Sequence, residues 1–286
     1  GCRRGAYIKR VVMVDIATIW SEARAVFGKG STPIVNAIED IEKSLPFSIK
    51  GYDSDNGTEV LNQHVLRYFR DERVERGKPE VQVTRSREYR KNDNAHVEQR
   101  NDSLARRWLG YERMDFAELQ PLIDYYYKYI VCPLTNHFFP SFKLHDKIRI
   151  KSRTRRVYKN PITPYRRVME SPHVSEVEKF RLKAIHEQLN PVQLLKQERL
   201  VRKRMDSALK ALKRGQAAAG LLAVPPPPLL ATSIAGAVLP GCSQSASPKA
   251  AATAPQAVPS ILSNGVAKFR ISSAAYAAKS HRRRFG

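Results

Sequence analysis

The order of elements specified by residues 6–110 constrains the fold more than any other feature of the chain. Residues 6–16 and 22–27 are β-branched or alternating, and the intervening ATIWS forms the turn of a hairpin. Thr32 reads as an N-cap with Pro33 at the first helical position, and Ile34, Ile38, Ile41 and Leu45 recur on one helical face until Pro46 stops it. A short strand over Phe47–Tyr52 runs into the turn formers Asp53-Ser54-Asp55-Asn56-Gly57. A helix over residues 58–71 follows, with Leu61, Val65 and Tyr68 on one face. Val81 and Val83 alternate in a brief strand. A polar loop over residues 85–92 then leads to a helix carrying Val97, Asn101, Leu104 and Trp108 in register, ending at Gly110. The pattern β-β-α-β-α-β-α is that of an α/β fold.

Further on, residues 116–131 form a helix with Leu119, Leu122, Ile123, Tyr126 and Ile130 inward, a buried aromatic stripe in place of a cofactor box. Ser175 with Glu178 makes a capping box for a helix to about Leu189, and Asn190-Pro191 opens another that runs to Arg214. Beyond Gly215 the Ala/Pro/Ser-rich stretch with Pro225–Pro228 has no sustained periodicity, and a disordered tail is expected there. The expected boundaries are 1–113 for an α/β domain, 114–172 for a helix and a basic extended segment, 173–214 for C-terminal helices and 215–286 for the tail.

Charge is distributed unevenly. Forty of the fifty bases and all 27 acids lie at or before Asp206, a net +13, and ten bases with no acid follow. Such a field attracts polyanions, and nucleic acid is the commonest one. Within residues 141–159 eight Lys/Arg face Asp146 alone, and in KLHDKIRIK apolar and basic residues alternate as a strand would. Lys143, Lys147, Arg149, Lys151, Arg153, Arg155 and Arg156 are therefore the candidate DNA-binding residues. Cys2, Cys132 and Cys242 are odd in number and in no CxxC pattern, which argues against a disulfide framework or a thiolate zinc site and fits a reducing cytosol. No membrane span is expected, because Pro225–Pro228 cut the most apolar stretch.

Asp55 and Glu98 are the candidate catalytic and metal-binding pair. Asp55 ends a strand and Glu98 sits in the first turn of a helix, where a fold can bring them together to hold hard divalent cations through carboxylate oxygens. Singly, each has a plainer reading. An Asp in a DNG turn is often only a turn former, and a first-turn Glu often only complements the helix dipole. His96 reads as a surface histidine, since Mg²⁺ prefers oxygen.

Residues 52–60, YDSDNGTEV, followed by residues 85–101, RSREYRKNDNAHVEQRN, resemble the catalytic core of DDE integrases and transposases, specifically bacterial insertion-sequence integrase-core proteins. The resemblance extends over Val14-Asp15-Ile16-Ala17-Thr18, Leu109-Gly110-Tyr111, Thr163-Pro164-Tyr165-Arg166 and Asn190-Pro191, and does not cover the tail. It implies an RNase H-like mixed sheet with flanking helices and metal-dependent transfer of a DNA 3′-hydroxyl onto a target phosphodiester. Two Mg²⁺ or Mn²⁺ ions are expected in the intact family. Asp55 then matches the second metal-binding aspartate and Glu98 the final glutamate. The family's first aspartate lies on its first strand, ahead of two further antiparallel strands. Only two strands precede Thr32 here, so Asp15 falls on the family's second strand, leads into a turn and is not a ligand. The expectation is that strand one and its aspartate are missing from residues 1–286. Two functions stay open: a transposase or integrase acting on element ends and target DNA as a homo-oligomer in the bacterial cytoplasm, or a catalytically inactive remnant that only binds nucleic acid. An RNA-binding structural protein would explain the charge but not the paired acidic motifs.

Overall fold

The computed structural model describes residues 5–28, 30–54, 59–85, 104, 107–110, 112–150, 153–226 and 268–272. It is an α/β protein. Strands β1 (Ile8–Asp15), β2 (Ser21–Phe27), β3 (Gly51–Ser54), β4 (Gln82–Arg85) and β7 (Lys268–Ser272) form one sheet in the order β2-β1-β7-β3-β4. A separate two-stranded sheet pairs β5 (Leu144–Ile150) with β6 (Arg153–Tyr158).

β1 carries apolar residues on both faces, so it lies at the centre of two cores. Val12 and Val14 face one core with Leu122, Tyr126 and Ile130, while Val11 and Met13 face the other with Ile38, Ile41 and Tyr68. Period-two alternation sends successive side chains to opposite faces, so helices must cover both. The first core is closed by a continuous helical stretch over residues 117–138 and by the Pro191–Lys213 helix. The second is closed by the Ser31–Ser44 helix and by a helical stretch over residues 59–75. Each fully buried Val, Ile or Leu contributes about 1.5–3 kcal/mol.

The β1–β2 turn is held by Asp15. Its Oδ2 accepts from the Thr18 backbone N–H at 2.8 Å and from Thr18 Oγ1 at 2.5 Å, and its Oδ1 accepts from Ala17 N–H at 3.3 Å. The turn places the β-branched Ile19 at φ 64°, a left-handed conformation that costs roughly 1–2 kcal/mol. Ile19 N–H bonds to Asp15 C=O and Asp15 N–H to Trp20 C=O, both at 2.8 Å, which keeps it there.

β2 is an edge strand, and its outward backbone groups are satisfied by side chains. Asn136 Oδ1 accepts from Ser21 N–H at 2.9 Å while its Nδ2 donates to Ser21 C=O at 2.9 Å. Asp124 Oδ1 accepts from Ala25 N–H at 2.8 Å, and Gln120 Nε2 donates to Ala25 C=O at 3.1 Å. All three partners come from the 117–138 stretch. Arg24 Nη1 donates to Ala23 C=O at 2.8 Å.

Two expectations are corrected. The first helix runs over Ser31–Ser44 with Gly30 as N-cap and no side-chain cap, so Thr32 and Pro33 lie inside its first turn, where a missing N–H costs no hydrogen bond. The tail beyond residue 215 is not wholly unstructured, because residues 219–222 form a helical turn and residues 268–272 form β7. β7 is antiparallel to β1, with Val14 opposite Arg270, and parallel to β3, with Asp53 opposite Arg270. The physical reason is ladder satisfaction: without it, the facing edges of β1 and β3 would lack partners in the middle of a sheet covered on both sides.

Two outcomes follow. Asn136→Ala leaves Ser21 N–H and C=O buried without partners and should lower stability by about 2–4 kcal/mol in urea titrations. Removing residues 227–286 opens the β1–β3 gap. A loss of about 3 kcal/mol there would lower the thermal midpoint by roughly 6–12 °C, with aggregation on heating. A truncated chain that melts at the same temperature would show that β7 contributes nothing to the sheet.

Candidate nucleic-acid interface

The β5–β6 ribbon joins two short connections whose backbones close its root: Ser141 pairs with Ile162, and Lys159 N–H donates to Lys143 C=O at 3.0 Å. Alternation in β5 and β6 sets the register Asp146 with Val157, Lys147 with Arg156, Ile148 with Arg155, Arg149 with Thr154 and Ile150 with Arg153. An irregularity between Leu144 and Asp146 inserts His145 into one strand only. The bases of this segment are therefore divided between the two faces of the ribbon and not collected on one side. Arg149, Arg155 and Arg156 are exposed, as are Ile148 and Tyr158.

Lys143 has a different place. Its Nζ donates to Ala17 C=O at 2.5 Å in the β1–β2 turn, half-buried beside Asp15. Burial lowers its pKa, and the neighbouring Arg167 charge adds to that while Asp15 opposes it. Arg167 Nη1 donates to Ser141 Oγ at 2.8 Å and to Thr18 C=O at 3.3 Å, and Nη2 bonds to Ser141 C=O. Lys143 and Arg167 thus tie the ribbon's root to the turn that Asp15 caps. Burial raises the Asp15 pKa against the hydrogen bonds from Thr18 and Ala17 and the charge of Lys143. Sequence periodicity gave no sign of Arg167, because its partners, two backbone carbonyls and a serine hydroxyl, lie far away in the chain.

Asp55, Glu98 and Lys151 lie outside the described residues, and Lys147 and Arg153 are placed by backbone register alone. Among the described residues no group of three or more His, Cys, Asp or Glu could hold a metal ion. Asp15 is engaged in the turn, where both of its carboxylate oxygens accept hydrogen bonds. Its placement in the turn agrees with the sequence reading. Among the described residues no helix is long and apolar enough to cross a membrane.

Downstream of the ribbon, ring stacking fixes the helices. Tyr165 stacks on His186 at 3.9 Å between centroids, His186 on His137 at 5.3 Å, and His137 meets the edge of Trp20 at 5.3 Å. The two histidines place Nδ1 against Nδ1 at 3.1 Å, so one donates and the other, necessarily neutral, accepts. Burial, aided by His186, pushes the His137 pKa down to about 3.

In the unfolded chain His137 returns to about 6.5, so between pH 6.5 and about 3 the unfolded state binds the extra proton and stability falls as pH falls. At full expression this is on the order of 5 kcal/mol. The stability difference between the native chain and His137→Phe should therefore shrink or reverse on acidification across that window. A pH-independent difference in urea midpoints would show that His137 titrates normally.

Over 163 residues, 57% of the chain, the sequence is 37% identical to an uncharacterized protein, y4rM, of Sinorhizobium fredii (strain NBRC 101917 / NGR234). The chain spans 44% of that relative's length. No family model and no solved structure matches it.

Proposed function

We propose that the chain is a transposase- or integrase-like protein of DNA integration, and that residues 1–286 bind DNA without joining it. The observation that carries the binding half is the ribbon. Arg149, Arg155 and Arg156 are exposed on a small sheet separate from the main one, and the only acid in the segment is Asp146. Neutralising phosphates releases counterions, the main source of sequence-independent affinity for DNA.

The recombinase assignment rests on the motifs around Asp55 and Glu98, and the sheet is compatible with it. β1 and β2 are antiparallel, β3 and β4 parallel, and helices cover both faces. An RNase H-like reading assigns its first strand, with the first aspartate, to the centre of the sheet. Here residues 268–272, KFRIS, hold the position between β1 and β3 and contain no acid. Strand transfer with Mg²⁺ or Mn²⁺ would then rest on Asp55 and Glu98 alone, two carboxylates where the family uses three. DNA is the partner, both element ends and target, with a second protomer in the assembled form.

Fluorescence anisotropy with labelled duplex DNA at several salt concentrations tests this reading. Affinity should fall steeply with salt, and the double substitution Arg155→Ala, Arg156→Ala should reduce the slope of log K against log salt by about 2. Salt-independent affinity, or none, would reject DNA binding. Robust Mg²⁺-dependent joining by residues 1–286, abolished by Asp55→Asn, would reject the inactive assignment and return the chain to the enzymes.

A further inference from the structure

Two aromatic side chains stand in water at the root of the ribbon. Phe142 is 64% exposed and Tyr158 49% exposed, and their rings meet edge to face at 6.1 Å between centroids and 71° between planes. Neither is needed to close a core, since both lie outside the two buried clusters. Two bases flank Tyr158: Lys159 follows it, and Arg156 lies two residues before it on the same strand. Lys159 and Arg156 are exposed.

An exposed aromatic pair flanked by cations fits one kind of partner better than others. A folded protein surface would meet the cations with acids and the rings with apolar side chains. Duplex DNA would satisfy the cations through its phosphates but leave the rings idle, because its bases are stacked on one another and hidden. An unpaired strand offers both complements at once: a phosphate backbone for Arg156 and Lys159, and free base faces for the rings. Arginine beside an aromatic ring adds attraction for the base planes.

We propose that Phe142 and Tyr158 form a stacking platform for unpaired nucleotides, so that the ribbon prefers single-stranded DNA, or a frayed DNA end, to intact duplex. This rests on the reading of the ribbon as a nucleic-acid surface, and it adds the form of DNA recognised. The charged residues set the salt dependence, and the rings set the preference for a single strand.

The test uses the full chain, labelled oligothymidine and a labelled duplex of the same length at one salt concentration. The native chain should bind oligothymidine more tightly than duplex. Phe142→Ala with Tyr158→Ala should weaken oligothymidine binding by about tenfold or more, leave duplex binding within about twofold and leave the salt slope unchanged. Tyr158→Phe, which keeps the ring, should retain the preference. Because both side chains are exposed, the thermal midpoint of the double variant should match that of the native chain, and a match shows that any loss is one of contact. Equal affinity for the two probes, or an aromatic variant indistinguishable from the native chain, overturns the platform while leaving DNA binding intact. Failure to bind either probe overturns both readings. Dissociation of a native oligomer by the aromatic substitutions, seen in sedimentation velocity, would assign the pair to contact between copies of this chain and overturn the proposal.

Discussion

A β-sheet covered on both faces must finish without leaving its backbone groups stranded, and the architecture of this chain follows from how that is met. Water cannot reach the outer edge of β2, because the 117–138 helical stretch lies along it. The bonds come from side chains: Asn136 takes both backbone groups of Ser21, Asp124 and Gln120 divide those of Ala25, and Arg24 takes the carbonyl of Ala23. A helix that only buried apolar surface could slide along the sheet. One that carries the hydrogen bonds of a strand edge is fixed in register.

The same edge explains the buried charges. Arg24, 1% exposed, donates from Nε to Asp40 at 2.5 Å and from Nη1 to Glu22 at 3.2 Å, while Lys128 donates to the other oxygen of Asp40 at 2.6 Å. Asp40 belongs to the Ser31–Ser44 helix and Lys128 to the 117–138 stretch, so one carboxylate joins the helical layers on opposite faces of the sheet around its edge. Burial acts to lower the Arg24 pKa, but the charge of Glu22 and the contact with Asp40 outweigh it and leave the pKa raised. Removing one partner would strand a buried ion, costing about 3–5 kcal/mol, whereas replacing the whole cluster with apolar residues of equal volume could be neutral. Glu42 plays a comparable part on the second core, accepting from Arg73 at 2.7 Å, Lys78 at 2.7 Å and Tyr68 at 3.0 Å, which holds the 59–75 stretch against the first helix.

Features written in local chemistry were legible in the sequence. The Ser175–Glu178 capping box, the Asn190 cap with Pro191 after it, the inward stripe from Leu119 to Ile130 and the hairpin ahead of the first helix all depend on residues within a turn or two of each other. What escaped depends on distant partners. Nothing in KFRIS marks it as a central strand, since its place is set by the two edges it joins, more than 200 residues away from it in the chain. The 117–138 stretch continues seven residues past the expected end at Val131, through Pro133. Wider turns on either side of the proline absorb its missing donor, and Asn136 can then reach Ser21. Thr163 caps a helix over Pro164–Met169, inside the region expected to be a basic extended segment. For the candidate site, the ribbon was legible because alternating Lys and Arg leave a compositional trace. The division of its bases between two faces was not, because pairing across the ribbon decides it.

That division also limits what a count of charges can say about binding. Seven bases were read from residues 143–156 as one DNA-facing group, yet Lys143 spends its ammonium on the carbonyl of Ala17 and is a root of the ribbon, not part of its reach. Arg167, which lay outside the count, does the same work from the other side, on Ser141 and Thr18. Both anchors end on the turn closed by Asp15, so an acid in the turn of the first hairpin holds the platform on which the basic ribbon stands. A ribbon of two strands is marginal alone in water. Its rigidity must come from this root, and substitutions at Lys143 or Arg167 should weaken any ligand of the ribbon by loosening its base, an effect separable from lost charge because it would leave the salt slope in place.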